Sequence, residues 1–264
     1  MKNQPVIDIA QVANPPKGKN VIAVASGKGG VGKTWLSISL AHALASEGRK
    51  ALLFDGDLGL ANVDIQLGLM PNKDLGEVMA QRLPLAQATT PYPAGGFTII
   101  AGRSGAGNFG DLPMNRLAQL RNDLLALARS YDNVVIDLGA GVDRTVRVLS
   151  RHAGTCLVVT TGEPTSLTDA YAFIKLTVAD DPSADVRVVV NMADTPREGQ
   201  RTYDTLRKAC EGFLKFTPAL AGIVRRDKKV PDAIRHQTSL LTRSPSSEAA
   251  QDIAALVKKL IQPS

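Results

Sequence analysis

The chain has 264 residues, of which 44% are hydrophobic and 21% charged, and its net charge of +6 comes entirely from residues 201–264. No apolar run reaches the roughly 18 residues that a membrane-spanning helix needs. The N-terminal stretch also lacks the apolar core of a signal peptide, so we expect a cytoplasmic protein.

Apolar runs recur along the chain, and several are followed by a helical pattern. The runs are apolar throughout rather than alternating, which indicates strands covered on both faces. Helices between such strands predict right-handed crossovers and a doubly wound, mostly parallel α/β sheet. We expect a tail at residues 1–19 and one domain at residues 20–264. The predicted strands are 20–26, 50–57, 97–102, 133–139, 155–161, 185–191 and 219–224, and the predicted helices include 34–45, 114–130 and a terminal helix.

The first strand leads into a glycine-rich loop that matches the phosphate-binding pattern G-x-x-x-x-G-K-[ST]. Glycines allow backbone N–H groups to converge on phosphate oxygens, and the following helix adds a favourable dipole. In such a loop Lys33 contacts the β- and γ-phosphates, and the Thr34 hydroxyl binds Mg²⁺. The predicted nucleotide-binding residues of the loop are Gly27, Lys28, Gly29, Gly30, Val31, Gly32, Lys33 and Thr34.

Carboxylates follow two of the predicted strands. Asp55 and Asp57 end the strand 50–57, and Asp137 ends an apolar run that leads into a glycine-bearing loop. Ligands of open α/β sheets bind beyond the carboxyl ends of the strands, where these side chains meet. A buried carboxylate at Asp137 is costly unless it is paired, which favours a role in metal binding. One carboxylate could orient an attacking water while another supports Mg²⁺.

The loop contains two lysines where phosphate binding needs one. The sequence KGGVGKT (28–34) resembles the deviant Walker A motif of the MinD/ParA ATPases. The resemblance implies a P-loop fold with seven or eight strands, bound ATP and Mg²⁺, and slow ATP hydrolysis. It also implies that the chain forms an ATP-dependent homodimer in which Lys28 reaches the phosphates of the partner subunit.

The same resemblance implies roles for four residues beyond the loop. Asp57 matches the aspartate that positions the attacking water, and Asp55 matches a position on the Mg²⁺ side. Asn191 matches the asparagine that contacts adenine, although an asparagine after a strand is also a common turn residue. Asp169 matches the aspartate that pairs with the signature lysine near the dimer interface.

Two longer segments, DGDLGLANVDIQLGL (55–69) and EPTSLTDAYAFIKL (163–176), are similar to the flagellar-number regulators FlhG/FleN. This similarity implies a switch that recruits partners of the flagellar machinery as an ATP dimer, at a cell pole or at the inner membrane face. The N-terminal IDIAQVANPP differs from the segment with which FlhG proteins often stimulate a GTPase. The last predicted helix has an apolar stripe that most often packs on the protein body, formed by Ala249, Ile253, Leu256, Val257 and Leu260. Lys258 and Lys259 flank these apolar residues, a pattern that allows only weak lipid contact.

Two related roles stay open on the sequence. One is a MinD-like ATPase that positions cell division. The other is a ParA-like partition ATPase that binds DNA non-specifically, which the 12 basic against 6 acidic residues of 201–264 favour, although we expect little DNA binding. An iron–sulfur reductase with the same loop is excluded, because DLGAGVD (137–143) contains no cysteine ligand. We expect the two cysteines, Cys156 and Cys210, to be reduced thiols.

Overall fold

A computed structural model describes residues 17–102 and 112–262. This part of the chain contains one eight-stranded sheet with helices packed against it. Of the predicted tail, residues 1–16 lie outside the described residues, whereas Gly18 and Lys19 belong to the first strand. The strands are β1 Gly18–Ser26, β2 Ala51–Gly56, β3 Thr89–Tyr92, β4 Phe97–Ile100, β5 Asn133–Ala140, β6 Ala153–Thr160, β7 Val186–Ala193 and β8 Ala219–Arg225.

The strand order is β3-β4-β2-β5-β1-β6-β7-β8. Every neighbouring pair is parallel except β3 and β4, which are antiparallel. The prediction of a mostly parallel sheet is therefore confirmed. The sequence pattern missed β3 because that strand has four residues and contains Pro91, which cannot donate a hydrogen bond to a ladder. Proline is tolerated there because β3 lies at the edge of the sheet.

The strands are apolar on both sides because the sheet separates two hydrophobic cores. Consecutive residues of β1 alternate between them: Val21, Ala23 and Ala25 lie in one core, and Ile22 and Val24 lie in the other. This arrangement is the physical reason for the uninterrupted apolar runs.

The helices occupy both faces of the sheet, and α1 is buried along most of its length. Their bounds are α1 Lys33–Ser46, α2 Val63–Leu67, α3 Leu75–Met79, α4 Met114–Ala128, α5 Arg144–Arg151, α6 Pro164–Asp180, α7 Pro196–Leu214, α8 Lys229–Arg235, α9 Leu240–Arg243 and α10 Glu248–Ile261.

The terminal helix α10 packs on β8 and α1. Ala249, Ile253, Leu256 and Val257 on its predicted apolar stripe are buried in the protein, which leaves Lys258 and Lys259 on the exposed side. The stripe thus serves the core, as its helical periodicity predicts. Among the described residues no helix combines the length and the apolar character that crossing a membrane requires.

The order of the strands decides where a ligand can bind. β1 lies between β5 and β6, and the chain passes to opposite sides of the sheet from this point. In open α/β sheets such a switch point leaves a crevice beyond the carboxyl ends of the central strands. The loops after β1, β2, β5, β6 and β7 meet at this edge, and the predicted site residues lie in these loops or in the strands and helices next to them.

Candidate functional site

The phosphate loop connects β1 to α1 and ends in a residue that has to be glycine. Gly32 precedes α1 with φ 87°, in the left-handed region, and α1 has no side-chain cap at its N-terminus. A Cβ on Gly32 would lie 2.5 Å from Nδ2 of Asn191. Glycine therefore provides both the backbone conformation and the space at this position, and the first N–H groups of α1 are left for a ligand.

At the start of the loop, Gly27 packs directly against α6. A Cβ at Gly27 would lie 2.1 Å from the backbone oxygen of Asp169, so any larger residue would push the loop away from that helix. The contact places the predicted interface residue Asp169 beside the phosphate loop. The pairing of Asp169 with Lys28 of a second subunit stays a prediction.

Lys33 is held inside its own subunit. Its side chain is buried, and its ammonium donates a hydrogen bond to Oγ of Ser26 at 2.9 Å. Burial lowers the pKa of Lys33, while the charges of Asp137 and Asp57 oppose this effect. Ser26 is a site residue that the sequence analysis missed, because a serine at the end of an apolar strand carries no distinctive signal.

Lys28 has different surroundings from Lys33. Its ammonium contacts Oε2 of Glu163 at 2.8 Å and Oγ1 of Thr165 at 2.9 Å, at the start of α6. The side chains of Lys28 and Glu163 are 36% and 67% exposed, so solvent screens this ion pair and it contributes little to stability. The Lys28 ion pair lowers the pKa of Glu163. Both partners lie in the segment EPTSLTDAYAFIKL (163–176), but its helical pattern alone did not single them out.

The structure brings Asp55 and Asp137 together, because they are register partners on the neighbouring strands β2 and β5. Both side chains are buried. Asp55 accepts hydrogen bonds from the backbone N–H groups of Asn62 and Val63, each at 3.1 Å, and thus anchors the start of α2. The sequence could not show this structural role, because the donors lie in a loop whose path the tertiary structure decides.

Asp137 lies beneath the phosphate loop. Its Oδ1 accepts a hydrogen bond from the Ser37 hydroxyl at 2.9 Å, and the Thr34 hydroxyl also bonds to it. Ser37 was missed by the sequence analysis, although its spacing of one helical turn from Lys33 is a usable signal. The hydroxyl and carboxylate predicted to bind Mg²⁺ are therefore neighbours in the structure.

Asp57 lies at the mouth of the site. Its Oδ1 accepts hydrogen bonds from the backbone N–H groups of Leu60 at 2.9 Å and Gly59 at 3.3 Å. The carboxylate also lies beside Gly139 in the segment that ends β5, since a Cβ on that glycine would be 3.5 Å from Oδ1 of Asp57. The half-buried side chain is thus oriented by its own loop while it stays open to solvent.

The oxygen ligands at this edge fit a Mg²⁺ ion that is bound together with a nucleotide. Thr34 and Asp137 are hydrogen-bonded neighbours, and Asp55 lies next to Asp137. The described residues contain no cluster of three or more His, Cys, Asp and Glu side chains that could hold a metal ion. Mg²⁺ is commonly bound by one or two carboxylates and completes its shell with phosphate oxygens and water. A hydroxyl and two carboxylates suit that mode.

The buried acid pair makes the stability of the metal-free protein depend on pH. Burial is the main cause that raises the pKa of Asp55 to about 8 and that of Asp137 to about 6. Because these values exceed the ordinary 3.8, the folded state binds more protons than the unfolded state between about pH 4 and pH 8. The contribution of the pair to stability therefore falls as the pH rises through this window.

We expect Asp137→Asn to stabilise the metal-free protein at pH 8 by on the order of 2 kcal/mol and to flatten this pH dependence. Urea unfolding in EDTA across this pH window measures both effects. Asp194→Asn is the matched control, because Asp194 is an exposed acid that pairs with Arg226. Parallel pH profiles for the wild type and Asp137→Asn would contradict the assignment of the pH dependence to this pair.

Asn191 is buried at the other side of the phosphate loop, where its Nδ2 donates to the backbone oxygen of Val31 at 2.8 Å. The next residue, Met192, has φ 57°, a conformation that is unusual for methionine. A cavity of about 360 Å³ opens here between Asn191, Met192 and the segment 225–234, with Gly32 and Trp35 on its wall. Its size is within the range of small-molecule sites. The sequence analysis predicted Asn191 but not Trp35 or the segment 225–234.

The chain is similar to known proteins over most of its length. Residues 22–240 match the CobQ/CobB/MinD/ParA nucleotide binding domain. The chain is 38% identical over 240 residues to the antiactivator FleN of Pseudomonas aeruginosa, and the match covers 91% of this chain and 85% of FleN. It is 28% identical over 241 residues to the flagellum site-determining protein YlxH of Helicobacter pylori, covering 91% and 81% of the two chains.

A solved structure has the same fold at low sequence identity. The septum site-determining protein MinD of Pyrococcus horikoshii, in complex with Mg-ADP, matches with a TM-score of 0.75 and 22% identity, covering 92% of this chain and 96% of that chain. The family match spans most of the sequence, and it includes the phosphate loop, both buried aspartates and Asn191. This chain therefore belongs to the MinD/ParA family of nucleotide-binding proteins.

Proposed function

We propose that this protein is an ATP-driven molecular switch that dimerises with ATP and separates after hydrolysis. The observation that carries the proposal is the different placement of two lysines in one phosphate loop. Lys33 is buried and directed to its own subunit's Ser26, whereas Lys28 lies on a solvent-exposed ion pair with Glu163. A lysine held by a weak, screened contact can leave it for a stronger one on a second subunit.

Each site residue has a defined part in the proposed reaction. Thr34 and Asp137 would hold Mg²⁺, with Asp55 next to Asp137, and the ion supplies charge neutralisation at the phosphates. Lys33 balances negative charge on the nucleotide of its own subunit, and Lys28 does so for the partner's. Asp57, held by the N–H groups of Leu60 and Gly59, accepts a hydrogen bond from the attacking water and orients it.

The ligand that we propose is ATP rather than GTP. The phosphate loop itself cannot distinguish the two, because it contacts phosphates only. Asn191 lies beside the loop and on the wall of the adjoining cavity, where an amide can both donate to and accept from a base edge. The relative from P. horikoshii was solved with Mg-ADP, which supports an adenine nucleotide here.

The edge that contains the site also has features of a surface for a second copy. Leu60 follows β2 and is 77% exposed, and Val142 follows β5 and is also exposed. Apolar side chains at the mouth of a charged site favour burial against another subunit over exposure to water. We infer that the loops after β2 and β5 become part of the dimer interface when ATP is bound.

The biological role that we propose is control of flagellar number or placement through partners recruited by the ATP dimer. The relatives FleN and YlxH, an antiactivator and a flagellum site-determining protein, support this role. Deletion of the gene should then change the number or position of flagella, counted by electron microscopy. Minicells would instead indicate a division role, and loss of plasmid or chromosome copies would indicate partition.

Part of the basic charge in residues 201–264 is already paired with acids, which weakens the case for a DNA-binding face there. Arg225 forms ion pairs with Asp252 and Glu248, and Arg243 pairs with Asp232. Arginines that already have acidic partners are less available to phosphates. We expect weak binding to arbitrary duplex DNA at physiological salt, and a tight, salt-sensitive complex would favour the partition role.

Sedimentation of the wild-type protein tests the switch directly. We expect a monomer with ADP and Mg²⁺ and a dimer with a non-hydrolysable ATP analogue, at the same protein concentration. EDTA should remove the difference, because the proposed metal ligands Thr34 and Asp137 then have no ion to bind. Equal sedimentation in ADP and in the analogue, with both nucleotides shown to be bound, would contradict an ATP-dependent dimer.

A further inference from the structure

An open groove of about 530 Å³ lies between α6 and α7. The two helices pack side by side over the same core, which contains Phe173 of α6 and Leu206 of α7. Most of the side chains that line the groove are apolar, and these are Pro164, Leu167, Tyr171, Leu206, Ala209 and Phe213. The proposed function uses the start of α6, where Lys28 is held, but assigns nothing to this groove.

Phe213 is the most exposed apolar side chain of the groove. It lies near the end of α7 and is 81% exposed, so no described part of the chain covers it. On the α6 side of the groove, Tyr171 is only half-buried. Exposure of large apolar side chains to water is unfavourable, and when several of them gather on one surface they mark an interaction site. The groove therefore has the properties of a docking surface.

The helices that form the groove also carry basic side chains beside it. Lys175 follows Tyr171 of the lining by one helical turn, and Arg201 and Lys208 lie one turn to either side of Thr205. All three cations are exposed, and none has an ion-pair partner in the described part of the chain. The acids near them on α7, Asp204 and Glu211, are already paired with Arg207. A ligand of this groove therefore meets uncompensated positive charge at its edges.

These features narrow the class of occupant. An added strand would need an open sheet edge, and a groove between two helices offers only side chains, which suits the apolar face of a third helix. A second copy of this chain, docked groove to groove about a twofold axis, would bring the same cations together. Acidic residues beside an apolar stripe would instead complement both parts of the surface.

We propose that the groove between α6 and α7 docks an amphipathic helix of a partner protein, with its apolar stripe in the groove and its acidic flanks toward the three exposed cations. This inference rests on the proposed function and deepens it, because it names the kind of partner that the switch recruits. The groove begins at Pro164, between the two residues that hold Lys28. A docked helix thus lies next to the lysine that moves when the ATP dimer forms.

A synthetic amphipathic helix tests this surface in the intact protein. The probe has leucines along one face and glutamates on both flanks, and a hydrocarbon staple keeps it helical. We expect saturable binding of the labelled probe, measured by fluorescence anisotropy. A second probe with lysines in place of the glutamates should bind at least about tenfold more weakly. A stapled glutamate probe that shows no saturable binding would overturn the proposal.

Phe213→Ala removes the exposed ring and should weaken binding of the glutamate probe about tenfold. Because this ring lies on the surface, the melting temperature and the ADP affinity should stay those of the wild type. Met70→Ala is the matched control, since Met70 is a 95% exposed apolar residue that does not line the groove. Equal probe affinities of the wild type and Phe213→Ala would also overturn the proposal.

Exchanging charges tests the acidic flanks separately. The double variant Arg201→Glu/Lys208→Glu should prefer the lysine probe, which reverses the order found with the wild type. Lys258→Glu/Lys259→Glu is the matched control, because it makes the same change of charge on α10, which packs against the core on the other face of the sheet. If the double variant keeps the preference of the wild type, these cations do not select the occupant and the proposal is wrong.

Two measurements identify other occupants. Phe213→Ala should still dimerise with the ATP analogue in sedimentation, and loss of that dimer would assign the groove to a second copy. The wild type should not bind vesicles that contain phosphatidylglycerol, and vesicle binding that Phe213→Ala removes would assign the groove to a membrane. Either result overturns a docked partner helix. If the wild type binds the glutamate probe but forms no ATP dimer, the proposed switch fails and the docking surface stands.

Discussion

Replacing Lys33 by alanine should abolish nucleotide binding, with a loss of ADP affinity of about 100-fold or more. The ammonium is buried beside Ser26 and within the electrostatic influence of Asp137 and Asp57. Without it, phosphate charge would enter a site in which the nearest fixed charges are carboxylates. Isothermal titration of ADP with Mg²⁺ measures the loss, and a melting curve establishes that the variant is folded.

Two variants serve as controls for Lys33→Ala. Lys19→Ala removes an exposed lysine from the start of β1 and should leave ADP affinity unchanged. Ser26→Ala removes only the hydroxyl that holds the ammonium, so its loss of affinity should be smaller, about 3- to 10-fold. ADP affinity of Lys33→Ala within about threefold of the wild type would contradict the assignment of Lys33 to the phosphates.

Lys28→Ala should separate nucleotide binding from dimerisation. We expect the variant to bind ADP within about threefold of the wild type. The ion pair between Lys28 and Glu163 is exposed to solvent, whereas Lys33, Asp55 and Asp137 of the same site are buried and stay in place. It should fail to dimerise with an ATP analogue and should lose ATP hydrolysis by about 100-fold, as expected for a residue that supplies transition-state charge. Sedimentation and phosphate release measure the two effects.

Two further variants make this test sharper. Asp57→Ala should behave in the opposite way: it dimerises with ATP but hydrolyses it slowly, because no carboxylate orients the water. Glu163→Gln removes the ion pair of Lys28 but keeps the lysine and its contact with Thr165, so the ATP dimer should form at an equal or lower protein concentration than in the wild type. If Lys28→Ala dimerises with ATP and hydrolyses it normally, Lys28 is only a loop lysine and the switch loses its main support.

An element of the fold could be predicted when its own residues carry the pattern that defines it. β1, β5 and β7 were found because a strand buried on both faces has to be apolar at every position. The edge strand β3 escaped because it is short and contains Pro91, so its pairing with β4 depends on position in the sheet rather than on local preference. The helical stripe of α10 was predicted, and its packing on β8 and α1 followed from the fold.

The sequence by itself was sufficient to predict the phosphate loop and the positions of its two lysines. Gly32 and Lys33 are a local motif, since the backbone conformation and the reach of one side chain decide what they do. The family of the chain could be inferred from the same segment, because the second lysine, Lys28, gives the loop its resemblance to the deviant Walker A motif. These features depend on residues that are close in the chain, so their spacing is sufficient.

Only the tertiary structure decided which groups meet across the sheet. Asp55 and Asp137 become neighbours through the pairing of β2 with β5, and Glu163 meets Lys28 because α6 begins beside the loop after β1. The cavity at Trp35 likewise forms between α1 and the distant segment 225–234. Contacts of this kind have no local pattern, because their partners are brought together by strand order and packing rather than by spacing in the sequence.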